Sequence, residues 1–247
     1  MHPAWLSLLG AAAALSARAP EPLALRPLAA PPVLDVPCFS LATVDADGAT
    51  NMNVLTYAAP VGIRPARKWC ISLYRGTRTH ANFAARGSGV LQWLREAHAP
   101  LLWTLGGESG RDVDKAARCA VRGFGWRAPA GEGEGAGAGA GAGGEPLLLP
   151  HCECYLRLTL DGALIDAGDH DIAICAVDAI LAPAADGAAD ASDGSLAALL
   201  TRPMYTGFAR REGLITDAGR AVAPEDVGAP PEGVRETDIP PSDYHKQ

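Results

Sequence analysis

The stretch KWCISLYRGTRTHANFAAR, Lys68 to Arg86, changes its period halfway along. Over KWCISLY the chain alternates, with Trp69, Ile71 and Leu73 on one side and Cys70, Ser72 and Tyr74 on the other, which is the two-residue repeat of a half-buried strand. THANFAAR, Thr79 to Arg86, then reads as a helix ended by Gly87, with Thr77 or Thr79 as its N-cap. Ser72, Arg75, Thr77, Arg78 and Thr79 fall where strand becomes helix. An anion placed there meets unpaired helix N–H groups, guanidiniums and hydroxyls. The plainer reading of the same residues is a capped helix with solvated arginines.

Working outward, strand signals dominate. VPCFSLATV (Val36 to Val44) is followed by Asp45-Ala46-Asp47-Gly48, whose Asp-Gly pair supplies a hairpin turn. TNMNVLTYAA (Thr50 to Ala59) is its partner, and Pro60, which has no donor for the ladder, is expected to end it. GVLQWL (Gly89 to Leu94) reads as another strand. In CECYLRLTL (Cys152 to Leu160), Cys152, Cys154, Leu156, Leu158 and Leu160 make an apolar face, and Glu153, Tyr155, Arg157 and Thr159 a polar one. HDIAICAVDAIL (His170 to Leu181) is apolar on both faces and is expected to be central in its sheet. Further helices are expected over APLLWTL (Ala99 to Leu105) and RDVDKAARCAV (Arg111 to Val121), the latter with acids first and bases later, as the helix dipole prefers. About six strands with hairpin turns and a few helices predict a mainly β fold, a small antiparallel barrel with helical decoration.

The 247 residues carry 48% hydrophobic side chains, enough for a sizeable core, and a formal net charge of −7. That balance excludes a general binder of nucleic acid or of anionic membranes, so any anion site must be local. Four segments are expected to lie outside the folded core of a domain placed at residues 34–216. The first is residues 1–33: the apolar centre Leu6 to Leu15 is too short to span a membrane, and Ala17-Arg18-Ala19 has a small-residue cleavage pattern. No Lys or Arg precedes that centre, which counts against a secretory signal. Arg18 and Arg26, with only Glu21 as an acid before Asp35, fit an organellar transit peptide, plastid or mitochondrial, with a cytoplasmic location as the alternative. The others are a glycine-alanine insertion at 130–145, an acidic insertion at 182–194 and the tail 217–247, all with little to bury.

Two more polar clusters flank the strand-to-helix junction. In NMNVLTYAAPVGIRP, Asn51, Asn53 and Thr56 interrupt a strand that then bends at Pro60 and Gly62; amides and hydroxyls beside small alanines suit a flat polar ring, or simply the outer face of an edge strand. In AGDHDI, His170 stands between two aspartates at the entry to a strand, as a proton donor, a ring-positioning group, a metal ligand or a turn cap. His151-Cys152-Glu153-Cys154 holds soft ligands, but its two sulfurs are spaced to share a strand face and no fourth ligand stands at zinc spacing, so no metal site is expected. The six cysteines are read as buried free thiols. G-x-S-x-G, H-E-x-x-H and G-x-G-x-x-G after a strand are all missing, and GGESGRD lacks a phosphate-loop lysine, which disfavours hydrolase and NTPase chemistry.

In their order, NVLTYAAPVGIRP, ISLYRGTRTHANF, GVLQWL, SGRDVDKAAR and DAGDHDIAICAV resemble the flavin reductase-like family, the FMN-binding split barrels. The resemblance covers about residues 36–181 and extends to RPMYTGFARREGLI at 202–215. It implies a six-stranded antiparallel Greek-key split β-barrel, usually a homodimer, with FMN near the subunit interface and NAD(P)H as co-substrate. It places Thr56, Tyr57 and Ala58 beside the isoalloxazine ring, Ser72, Arg75, Thr77 and Thr79 at the FMN phosphate, Asn82 one turn into the helix, and His170 near the ring where a nicotinamide stacks. The function implied is hydride transfer from NAD(P)H to flavin; the alternatives are an FMN-binding electron carrier or sensor without NAD(P)H turnover, or a split barrel holding heme or a deazaflavin. Partners implied are flavin and nicotinamide nucleotides, with no nucleic acid and no membrane span.

Overall fold

The computed structural model describes residues 25–28, 32–129, 144–183, 202–216 and 220–226. Most of the N-terminal segment, of both insertions and of the tail lies outside the described residues. Met1–Pro32 is a unit of its own, whose described residues have no regular secondary structure; the second unit begins at Val33.

Among the described residues the second unit is built on an eight-stranded antiparallel sheet. β1 (Phe39–Val44) and β2 (Thr50–Leu55) form the hairpin expected at Asp45–Gly48, where Gly48 takes φ 85° and Asp45 Oδ1 accepts the N–H of Asp47 and of Ala49. β3 (Ala58–Gly62) runs beside β4 (Lys68–Tyr74), which leads into helix α1 (Arg78–Arg86) and then β5 (Ser88–Trp93). After helix α2 (Lys115–Val121) come β6 (Tyr155–Leu160), the two-residue β7 (Ile165–Asp166) and the long β8 (His170–Leu181), and α3 (Thr206–Arg211) closes the domain. The strand order is β2-β1-β5-β6-β8-β4-β3, with β7 on β8, so β2 and β3 are the free edges of a split barrel. The sequence predicts six strands; two more arise because TNMNVLTYAA breaks into β2 and β3 at Thr56-Tyr57 and because β7 forms a short hairpin with β8.

Pro60 does not end its strand. It sits inside β3 opposite Trp69, where one edge is open and its missing N–H breaks no ladder bond. The expected α-helix over Ala99–Leu105 is instead a 3-10 helix, Glu96–Leu101, running into a π turn, Trp103–Gly107; Pro100 and the Gly106-Gly107 pair cannot support a regular α ladder. α2 starts four residues later than its charge pattern suggests, because Asp114 caps it by accepting the Ala117 N–H at 3.0 Å. The strand expected from Cys152 starts at Tyr155, after a turn in which His151 takes φ 63°.

Two apolar clusters lie on the two sides of the sheet. On one side Phe39, Leu41, Ile71, Leu73, Leu91, Leu156, Leu158 and Ala173 enclose Phe83, the anchor of α1. On the other, Cys38, Ala42, Met52 and Val90 are covered by Leu101, Leu102, Leu105, Leu149, Met204 and Ala209. This second layer buries Tyr155 on the face that its polar neighbours suggest is solvated; its hydroxyl donates to Leu149 O at 2.7 Å. Segment 202–206 adds to the same layer, with Met204 bonded to both Cys38 and Leu94 through the backbone.

Candidate functional site

The register of three neighbouring strands assembles the site. Antiparallel pairing sets Tyr74 opposite His170, Ser72 opposite Ile172 and Ala58 opposite Ile71, and Ser72 N–H donates to Tyr57 O at 2.9 Å. Paired residues share a face, so Tyr57, Ser72, Tyr74 and His170 all stand on the face opposite to Ile71 and Leu73. The His170 ring lies 5.2 Å from that of Tyr74 and 5.9 Å from that of Tyr57, both edge-on. Tyr57 is 64% exposed, and the backbone N–H groups of Thr56 and Tyr57 meet no acceptor among the described residues. Ala58 opens the free edge strand beside them. A flat ring with carbonyl and imine edges finds here what it needs: unused donors, a small residue and an aromatic wall. His170 Nδ1 is 2.8 Å from Asp169 Oδ1.

Next to this face the chain turns into α1. Thr77 is the N-cap: its hydroxyl accepts the His80 N–H at 3.1 Å and donates to Tyr74 O at 2.9 Å. The N–H groups of Gly76, Thr77, Arg78 and Thr79 have no acceptor among the described residues, and a Cβ on Gly76, which takes φ +84°, would meet open space. Successive free N–H groups at the start of a nine-residue helix form a concavity that suits an anion. Arg75 and Arg111 flank it; Arg111 Nη1 donates to Gly76 O at 3.0 Å. Ser72 Oγ likewise has no protein partner among the described residues. The donor set therefore fits a phosphomonoester.

Thr79 and Asn82 face inward rather than toward that concavity. Thr79 Oγ1 accepts from Asn51 Nδ2 at 2.7 Å, and Asn82 Nδ2 donates to Thr43 Oγ1 at 3.2 Å. Both are buried and fasten α1 to the β1–β2 hairpin. Asn53, on the same face of β2 as Asn51, keeps a buried Oδ1 without a hydrogen bond. Arg78 is drawn away to Asp45 Oδ2 at 2.5 Å and Gly110 O at 2.7 Å. Burial raises the Asp45 carboxyl, but the Arg78 hydrogen bond and the turn N–H groups bring it below the usual carboxylate range.

Arg75 is the centre of a network that sequence reasoning does not reach. Asp171 Oδ1 accepts from its Nε at 3.1 Å and its Nη2 at 2.5 Å, while His80 Nε2 lies 2.7 Å from Asp171 Oδ2. An ionised carboxylate only accepts, so His80 carries its proton on Nε2. The Arg75 and His80 hydrogen bonds hold the Asp171 carboxyl below its usual range. Asp166 Oδ1 is 3.1 Å from Arg75 Nη2 and accepts the Gly168 N–H at 2.8 Å. Tyr74, His80, Arg111, Asp166 and Asp171 lie within the quoted motifs, but their pairing carries no local signal, since Asp171 meets Arg75 from 96 positions away. Among the described residues no group of three or more His, Cys, Asp and Glu side chains is arranged to hold a metal ion, and no helix is long and apolar enough to cross a membrane.

The flavin reductase like domain model matches residues 37–200. A search of curated proteins finds no match. Among solved structures, flavoredoxin of Desulfovibrio vulgaris (Miyazaki F) is 17% identical over 81% of this chain and 83% of its own, with a TM-score of 0.50, a likeness of fold. NADH:FAD oxidoreductase of Streptomyces globisporus C-1027 is 13% identical over 60% of this chain and 76% of its own, with a TM-score of 0.47. A Sinorhizobium meliloti 1021 protein aligns at 17% identity and a TM-score of 0.47 over 61% of this chain, but this chain spans only 44% of its length. The family model spans well over half of the sequence and contains the β3–β4–α1 junction and the start of β8: the chain belongs to the flavin reductase-like domain family.

Proposed function

We propose that the chain binds FMN across the β3, β4 and β8 ends and passes reducing equivalents from NAD(P)H to it. The observation that carries the reading is the row of unpartnered N–H groups from Gly76 to Thr79 beside Arg75, together with the unpartnered N–H groups of Thr56 and Tyr57, the latter across from Ser72 of β4. The first set suits a phosphate and the second the polar edge of a ring.

When bound, FMN supplies a hydride acceptor in its ring, chemistry that side chains lack. The chain's own part is to bind and orient. The α1 N-terminus and Arg75 neutralise the phosphate charge, and Ser72 Oγ adds a hydrogen bond. Thr56 and Tyr57 donate backbone N–H groups to the ring edge, and Ala58 lets the ring approach. Tyr57, Tyr74 and His170 form the wall beside it, and His170, tethered by Asp169, stands where it can position a nicotinamide or hold a proton. Transfer of a hydride between two stacked rings depends on alignment and on excluding water rather than on an acid–base pair. A second copy of the chain, covering the edge strand β3 with its exposed Val61 and the exposed Tyr57 and Ile63 that flank it, would complete the enclosure, and we propose a homodimer on this ground.

The test is an absorbance spectrum of the purified protein with added FMN, followed by anaerobic mixing with NADH and with NADPH. Bound flavin that bleaches on mixing supports the proposal. Bound flavin that stays oxidised makes the protein a carrier or sensor, and a heme spectrum removes FMN altogether.

A further inference from the structure

Arg75 is held by two carboxylates of different standing. β7 and β8 set Asp166 opposite Asp171, so both side chains reach one guanidinium, and Arg75 neutralises what would otherwise be two like charges side by side. Asp171 is enclosed, its side chain 12% exposed, and each oxygen is engaged, one by Arg75 and the other by His80. Asp166 is 72% exposed and touches Arg75 only through Nη2 at 3.1 Å. Its carboxyl sits below the usual range first through the Gly168 N–H and then through Arg75. Arg75 Nη1 has no partner among the described residues, and the Arg75 side chain is 40% exposed.

We infer that Asp166 is an affinity-setting residue, a tethered carboxylate that occupies the solvent side of Arg75 and that an incoming phosphomonoester displaces. Asp171 is the opposite kind of residue: it positions Arg75 and stays in place when the anion is bound. The geometry gives the two acids opposite signs. Removing the Asp166 charge takes away a competitor and a repulsion, and removing the Asp171 charge frees the guanidinium to swing away from the α1 N-terminus. The inference rests on the phosphate-site reading above and concerns this chain's own residues around it.

The experiment measures dissociation constants for FMN and for riboflavin, which lacks the phosphate, by quenching of flavin fluorescence on the full chain and on Asp166→Asn, Asp166→Ala and Asp171→Asn. Thermal melts establish that each variant is folded; Asp166 is exposed, so its variants retain the wild-type melt. FMN binds about threefold more tightly to both Asp166 variants, the scale of one exposed ion pair, and riboflavin binds as before. Asp171→Asn weakens FMN and leaves riboflavin unchanged. If wild type prefers FMN but the Asp166 variants bind it equally or more weakly, the competitor role is overturned while the phosphate site stands. If wild type binds FMN and riboflavin alike, the phosphate site itself fails and the inference with it.

Discussion

Lys115 permits a quantitative test of how the domain is built. Its residue is 5% exposed, and its Nζ donates to Met52 O at 3.1 Å and Leu105 O at 2.8 Å, tying β2 to the π turn. Burial pushes its ammonium down to about 8 from 10.5, against smaller upward pulls from Cys119 and Glu108. Lys115→Met keeps the length of the stem and removes the charge. At pH 7 two charge-assisted hydrogen bonds are lost, each about 1.5–3 kcal/mol. Relief of the buried charge returns about 3 kcal/mol, at about 1.36 kcal/mol for each tenfold change in the acidity constant. The net cost is about 3 kcal/mol or less. The pH dependence has a definite sign. A folded value below the unfolded one contributes stability that is present above the unfolded value and is lost as pH falls through about 8. Wild type therefore gains about 1 kcal/mol over Lys115→Met between about pH 7 and pH 9. Buried thiols such as Cys38 and Cys175, each pushed up to about 12, lower absolute stability over the alkaline range, but they are common to both proteins and cancel in the difference. The assay is urea unfolding by tryptophan fluorescence at pH 7, 8 and 9 with reductant present. A difference that stays constant or narrows with pH would refute the reasoning.

His170→Ala is expected to slow flavin reduction by NAD(P)H about tenfold or more, within the range of a positioning or proton-holding group, while FMN affinity by fluorescence stays near wild type; unchanged single-turnover reduction would remove His170 from the reaction. Thr77→Ala should cost about 1 kcal/mol of stability through the lost N-cap, with Thr77→Ser close to wild type in urea unfolding. At Gly89 a Cβ would stand 2.9 Å from Ala42 O across the β1–β5 ladder, so Gly89→Ala should lower stability by about 1–3 kcal/mol in the same assay.

The extent to which the sequence discloses this fold follows from the range of the forces involved. β8 spans the residues its pattern predicts, because one buried face and a half-buried second face leave an apolar run that no turn residue interrupts. α1 is legible too, since Thr77, Phe83 and Gly87 carry its start, anchor and stop within one segment. Alternation along β6 puts Tyr155 on the correct face but leaves that face solvated, because the layer that buries it comes from residues 149 and 152, outside the strand. The helix expected over 99–105 gives way to Pro100 and to Gly106-Gly107, whose local geometry outweighs an apolar pattern. At the site, Arg75 and Thr77 stand out because a hydroxyl-and-guanidinium turn is a local signal. Asp171 does not, since its meaning depends on being opposite Leu73 and within reach of both Arg75 and His80.

The four buried polar side chains that fasten α1, Asn51 to Thr79 and Asn82 to Thr43, bear on the thermodynamics of association. They fix the first turn of the helix in the folded protein before any ligand arrives, so the free N–H groups of Gly76 to Thr79 lose little freedom on capturing an anion. A site pre-ordered in this way should bind with a small entropic penalty and a heat of association dominated by the new hydrogen bonds. Thr43 and Asn51, which belong to a hairpin distant in sequence from the concavity, thereby help determine its calorimetric signature without touching the ligand.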